Sequence, residues 1–138
     1  MKSKKAEILD LLKNTYCRLK ASKIEGVGIF AIRDIEENTN PFYGVCKRRW
    51  HKISKEDLEK LDPEIKKMAK DFFVTDKTGN LLVPNDGLNS IDISFFLNAS
   101  KKPNVRTTDD GTNFKTSRSI KKGEELTTSY ADYDERYK

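Results

Sequence analysis

Residues 91–104, IDISFFLNASKKPN, constrain this chain more than any other stretch. Ile91, Ile93 and Phe95 alternate with Asp92 and Ser94, the pattern of a short strand with one buried face. Phe96 and Leu97 prolong the apolar run. Asn98, Ala99 and Ser100 then carry it into a loop of two lysines closed by Pro103 and Asn104. The expected strand thus delivers a side-chain amide to the edge of a polar loop. Asn98 either braces that loop or stands at the wall of a site, and an isolated N-x-S-x-x-P-N motif leaves both readings open.

The remaining sequence narrows the classes. A chain of 138 residues is long enough for one domain with its own core. Seven Phe, five Tyr and one Trp exclude a disordered chain, even with 36% charged residues. The net charge of +5 is spread among acids, so a nucleic-acid-binding role has only weak support, with no stacking motif behind it. Lys101 and Lys102, like Lys47, Arg48 and Arg49, read as solvated faces. Cys17 and Cys46 lie far apart and His51 is the single histidine, which argues against a disulfide framework, a zinc cluster or any other metal site. His51 follows Trp50 and two arginines and reads as a surface residue, so a His-dependent triad has no good candidate. No apolar run approaches membrane-spanning length, and the lysine-rich start lacks the apolar stretch of a signal peptide. The expectation is an intracellular protein, cytoplasmic if bacterial and nuclear if eukaryotic or viral.

Along the chain, Ile8, Leu9, Leu11 and Leu12 among charged residues predict an amphipathic helix over 5–13, ended by Asn14. Residues 16–19 read as a first strand, 21–23 as a turn, and 26–32 as a glycine turn feeding a β-rich run. Residues 33–40 form a polar turn and 41–45 the next strand. Residues 51–73 change character: Ser54 with Asp57 resembles a capping box, and Asp62, Pro63 and Glu64 open a helix strongly. Ile65, Met68, Ala69, Phe72 and Phe73 then share one helical face. Residues 76–80 form a hairpin-like turn into Leu81, Leu82 and Val83. Past the central stretch, 105–108 and 113–119 read as strands around a turn at 109–112, and a second polar turn leads to a strand over 126–130. Many short β segments with one helical insert make a small α+β domain, mostly β.

Four motifs stand in order. They are Gly26, Val27, Gly28, Ile29, Phe30 and Ala31; then Phe42, Tyr43 and Gly44; then Asn98 through Asn104; then the run GEELTTSY, from Gly123 to Tyr130. Together they resemble the SET-domain lysine methyltransferases over residues 16–133, and in particular the small single-domain members of bacteria and viruses. Three departures are visible. Ala99 stands where a histidine is usual, Thr128 where Phe or Tyr is common, and no cysteine-rich flank is present.

The resemblance implies one domain over 1–138: a SET-type fold of several short sheets with a threaded C-terminal segment. It sets apart an N-terminal helix at 1–15, a variable, partly helical insert at 47–90, and a closing tail at 131–138, in which Tyr133 or Tyr137 would close the pocket. It implies methyl transfer from S-adenosylmethionine to the amine of a lysine on a protein substrate, without a metal. Tyr130 is the implied catalytic residue. Gly26, Val27, Gly28, Asn98, Ala99 and Tyr133 are the implied cofactor residues, and Tyr43, Phe95 and Thr128 the implied walls of the lysine channel. Ala99 keeps the backbone groups that would meet the cofactor but loses an imidazole that ties the threaded segment in the family. Two other functions compete: a SET-like module that binds but turns over poorly, and, with less support, a basic nucleic-acid-binding domain.

Overall fold

A computed structural model describes residues 1–43, 49–108 and 113–138. The expected strand residues Gly44 and Val45, then Cys46, Lys47 and Arg48, and the turn at 109–112 lie outside the described residues. In chain order the regular elements are α1 (Lys4–Lys13), β1 (Cys17–Ala21), β2 (Val27–Ala31), β3 (Trp50–Ile53), α2 (Lys55–Glu59), α3 (Pro63–Phe72), β4 (Val74–Thr75), β5 (Leu81–Pro84), β6 (Asn98–Ala99), β7 (Val105–Thr108), β8 (Asn113–Thr116) and β9 (Glu125–Thr128). Short 3₁₀ turns follow β5, precede β6 and make up the tail. The architecture is α+β and mostly β, in several small sheets.

The main sheet has the order β1-β2-β9-β6. β1 and β2 form an antiparallel hairpin from Cys17↔Ala31 to Ala21↔Val27. β9 adds beside β2 through Ile29↔Leu126, and β6 runs parallel to β9 through Asn98↔Thr127 and Ala99↔Thr128. The last strand of the chain therefore lies between an early strand and a central one. Because side chains alternate across a sheet, this register sorts the residues by face. Leu19, Ile29, Leu126 and Thr128 share one face; Gly28, Glu125, Thr127 and Asn98 share the other.

The two similar strand-to-turn phrases meet in space. Ile35 and Ile120 exchange both backbone hydrogen bonds at 2.8 Å, and both are buried in the core with Ile29, Leu97, Val105 and Leu126. A second, smaller core belongs to the insert, where Leu58, Ala69, Phe73 and Leu81 pack beneath the sheet β3-β5-β4. α3 begins as expected: Asp62 accepts from the Glu64 N–H at 2.9 Å with Pro63 next to it. Of its apolar face, Ala69 and the C-cap Phe73 are buried while Ile65 and Met68 stay exposed. α1 forms with Ser3 as N-cap and Asn14 as C-cap, but none of its residues is buried. Its helix is held by local caps and not by a covered apolar face.

Several sequence expectations are corrected. Residues 91–95 are not a strand; Ile93–Phe96 is a 3₁₀ turn. Asp92 accepts from the Ser94 N–H at 2.8 Å and from its hydroxyl, which closes the chain into a turn before a ladder can form. The apolar residues there serve two cores: Ile93 and Phe96 pack on the main one, Ile91 and Phe95 on that of the insert. Alternation thus marks a partition between cores. Residues 41–43 are a turn, with the Phe42 N–H bonded to Asn40 Oδ1 at 2.9 Å. Residues 50–53, at the start of the insert expected to be helical, are β3, paired with a strand some thirty positions on. The last strand ends at Thr128, and Tyr130 opens a 3₁₀ turn instead.

Candidate active site

The tip of the first hairpin, β6, the end of β9 and the tail converge on one region. The hairpin turns through Gly26, whose φ of +45° is the left-handed conformation that glycine adopts without Cβ strain. Ser22 N–H bonds to Gly26 O at 2.8 Å across the tip. Gly26 has nothing within 4 Å of where a Cβ would stand, so that backbone is open. Gly28 is the opposite case: a Cβ there would lie 2.3 Å from Glu125 Oε2 and 3.1 Å from Asn98 Nδ2. Gly28 therefore makes room for two polar side chains packed over it.

Those side chains form a network. Asn98 Nδ2 donates to Glu125 Oε2 at 2.9 Å, to Glu25 O at 3.1 Å and, more weakly, to Val27 O at 3.4 Å. Ser22 Oγ lies 2.7 and 2.9 Å from the two oxygens of Glu125, and accepts from the Ile24 N–H at 3.0 Å. Asn98 is buried. Sequence reasoning quoted Glu125 within a motif but gave it no task, and Ser22 was read only as part of a turn.

Asn104, the closing residue of the central motif, clamps β9. Its Nδ2 donates to Glu125 O at 2.9 Å, its Oδ1 accepts from the Thr127 N–H at 2.8 Å, and its own N–H reaches Thr127 O at 3.2 Å. At 2% exposed it is wholly committed to the scaffold. Ser100 N–H adds a bond to Thr128 O at 3.0 Å. Ala99 faces Thr128 across the parallel pair and is exposed, while Thr128 is fully buried.

Tyr130 follows directly. Its hydroxyl donates to Leu97 O at 2.8 Å, which ties the last motif to the residue before Asn98. Burial, then the neighbouring Tyr137 and Glu25, holds its phenol above the usual tyrosine range. Tyr133 meets Tyr130 edge-on, with ring centroids 6.3 Å apart, and burial raises its pKa as well. Tyr137, the other tail tyrosine expected to close the site, lies closer, at 5.3 Å.

Val27, Gly28, Asn98, Thr128, Tyr130 and Tyr133 are thus drawn into one connected region. Tyr43 stands 61% exposed in the turn after Asn40. Phe95 packs against Phe73 and Trp50 in the insert, at centroid distances of 6.0 and 6.3 Å. Among the described residues no cluster of three or more His, Cys, Asp or Glu could hold a metal, and no helix is long and apolar enough to cross a membrane.

The sequence matches the SET domain over residues 26–131, from the glycine hairpin through Tyr130. The chain belongs to the SET-domain family. SET-domain proteins are typically methyltransferases, and those methyltransferases generally use S-adenosylmethionine. The fold is similar to a crystal structure described as a "putative histone methyltransferase" of Plasmodium falciparum. That likeness has a TM-score of 0.51 at 17% identity and covers 84% of this chain and 93% of the other. No curated protein matches the sequence.

Proposed function

We propose that this SET domain transfers a methyl group from S-adenosylmethionine to the side-chain amine of a lysine on a protein substrate. The observation that carries the reading is the Tyr130 hydroxyl. Its one proton is committed to Leu97 O, so the lone pairs that remain on the oxygen can only accept. An accepting oxygen in a half-buried aromatic setting suits an amine that must present its lone pair elsewhere.

When bound, S-adenosylmethionine supplies an electrophilic methyl on a cationic sulfur. The chain's own residues would do the rest. A lysine ammonium ordinarily has a pKa of about 10.4, so the reactive neutral amine is scarce near pH 7. Desolvation among Tyr130, Tyr133 and Tyr137 disfavours the charged form. Tyr130 would orient the amine by accepting one of its N–H bonds. Alignment of the reacting atoms can then contribute several kcal/mol, on the order of 7–11 at best.

The residues present fit such a cofactor. Gly26 offers open backbone, Val27 next to it is exposed, and Asn98 brings a buried amide beside them. Ala99 follows Asn98 in β6 and retains its backbone groups. Thr128, and Tyr43 and Phe95 from earlier in the chain, remain the residues we assign to the lysine channel. The tail at 131–138 would close the site, held by Arg136, whose guanidinium donates to Phe73 O at 2.7 Å.

The test is direct. Purified protein is incubated with S-adenosylmethionine and a lysine-rich protein mixture, and methyl-lysine is sought by mass spectrometry. Calorimetry measures cofactor binding in parallel. Absence of both heat and methyl-lysine at millimolar cofactor would sink the proposal.

A further inference from the structure

The chemistry around Asn98 decides which end of its amide a ligand meets. Everything that surrounds the NH2 is an acceptor: two backbone carbonyls and one carboxylate. A carbonyl oxygen placed there would face three oxygens, so the assignment of nitrogen and oxygen follows from the partners alone. Oδ1 is left over, and among the described residues no donor reaches it.

Glu125 is unusual in the same respect. It is half-buried, yet no Lys or Arg among the described residues pairs with it; its side-chain partners are the Ser22 hydroxyl and the Asn98 amide. A partly desolvated carboxylate without a cation costs stability, so its retention needs a reason beyond packing. Ser22 belongs to the tip of the first hairpin, Asn98 to the far strand of the sheet, and Glu125 to the strand between them.

We infer that Glu125 is a positioning residue. Through Ser22 it holds the hairpin that carries Gly26, and through Nδ2 it turns the Asn98 amide so that Oδ1 alone is offered to a ligand. This rests on the proposed function in one respect: the ligand would be the amino-acid end of S-adenosylmethionine, whose ammonium is a donor matched to Oδ1. The orientation of the amide is a property of the protein before any ligand binds.

Two measurements separate the claims. The first is made without ligand. The Asn98 side-chain NH2 is observed by NMR, assigned by its disappearance in Asn98→Ala, and its hydrogen exchange is followed. Slow exchange is expected in the wild type and in Glu125→Gln, because the new amide can accept from Asn98 while Ser22 turns to accept from it. Fast exchange is expected in Glu125→Ala, and also in Gly28→Ala, whose methyl would displace the carboxylate. Ser22→Ala, which leaves the Asn98 bond in place, should fall between. Fast exchange in the wild type, or no change in Glu125→Ala, overturns the positioning role whatever the protein binds.

The second is calorimetry with S-adenosylmethionine on Glu125→Ala, Asn98→Ala and the double variant. Each single change should weaken binding about tenfold, the weight of one charge-assisted or ligand hydrogen bond. If Glu125 acts through Asn98, the second change adds less than about twofold to the first. Losses that multiply would show that Glu125 acts independently, which overturns the inference. A wild type that does not bind at all overturns the proposed function instead and leaves the exchange result standing.

Discussion

Tyr130 donates its hydroxyl proton to the backbone carbonyl of Leu97 at 2.8 Å, and Leu97 is itself only 4% exposed. The bond joins the end of the last motif to the start of the central one and fixes the phenol's direction. Tyr130→Phe removes it and strands a carbonyl in a dry setting, a cost of about 1 kcal/mol. Thermal unfolding should shift only by a few degrees. Methyl transfer should fall by orders of magnitude while cofactor affinity changes little, since the accepting oxygen is needed for turnover. Parallel calorimetry and initial rates check this. Equal rates in the two proteins would remove Tyr130 from the mechanism.

Arg136 pins the tail. Its guanidinium grips Asp134 at 2.8 and 3.1 Å and donates to Phe73 O at 2.7 Å, at the end of α3. Asp134 is 3% exposed, so removal of its partner leaves a buried carboxylate. Arg136→Ala should cost about 1–3 kcal/mol, less than a fully buried pair because the guanidinium is partly solvated. Arg136→Lys should recover only part of the loss, since an ammonium cannot reproduce the fork. Hydrogen exchange across residues 130–137 should speed up in both, most in the alanine variant. Unchanged exchange there would mean the tail is held by its tyrosines alone.

Alkaline pH should loosen the fold. Burial pushes the Cys17 thiol from 9.0 up to about 12 and raises Tyr130 and Tyr133 too. Each group is neutral in the folded chain over a range where the unfolded chain has already lost its proton. The folded state then holds more protons, so stability falls as pH rises. The contribution of Cys17 is intact below about pH 9 and is lost progressively toward pH 12. Urea unfolding at a series of pH values should show the decline starting near pH 9. In Cys17→Ala, less stable overall, that first part of the slope should flatten.

What could be read from the sequence, and what could not, divides along the range of the interactions. α3 was legible because Asp62 is a local cap, and α1 because its apolar spacing and its stop at Asn14 are local signals too. The strands β1 and β2 were legible because the turns that bound them are local, while their pairing appears only in the structure. The fold family was legible because motifs far apart keep their order. Trp50 to Ile53 went unseen as a strand because its partner is β5, beyond two helices. Ile91 to Phe95 misled because its alternation serves two cores. In the site, Asn98 and Tyr130 stood out through their motifs. Ser22 and Glu125 did not, since their contact spans a hundred and three positions and exists only once β9 lies beside β2.

Thr128 joins stability to specificity. It is fully buried, and its Oγ1 finds no hydrogen-bond partner among the described residues. Thr128→Val keeps the shape and deletes an orphaned hydroxyl, so it should stabilise the fold by about 1 kcal/mol. The same side chain is small at a place, two residues before Tyr130, where the family commonly has an aromatic. We propose that the spared volume lets a methylated amine turn and accept again, so products extend to di- or trimethyl-lysine. Thr128→Tyr should shift them toward monomethyl-lysine, at a cost of about 1–3 kcal/mol for overpacking a closed position. Thr128→Val is the control: equal in size, it should leave the product distribution where it was while raising the melting temperature. Mass spectrometry of products under excess cofactor reads the outcome. A wild type that stops at monomethyl-lysine after long incubation would rule out the role of Thr128 in multiplicity, and a Thr128→Val no more stable than wild type would mean the buried hydroxyl has found a partner.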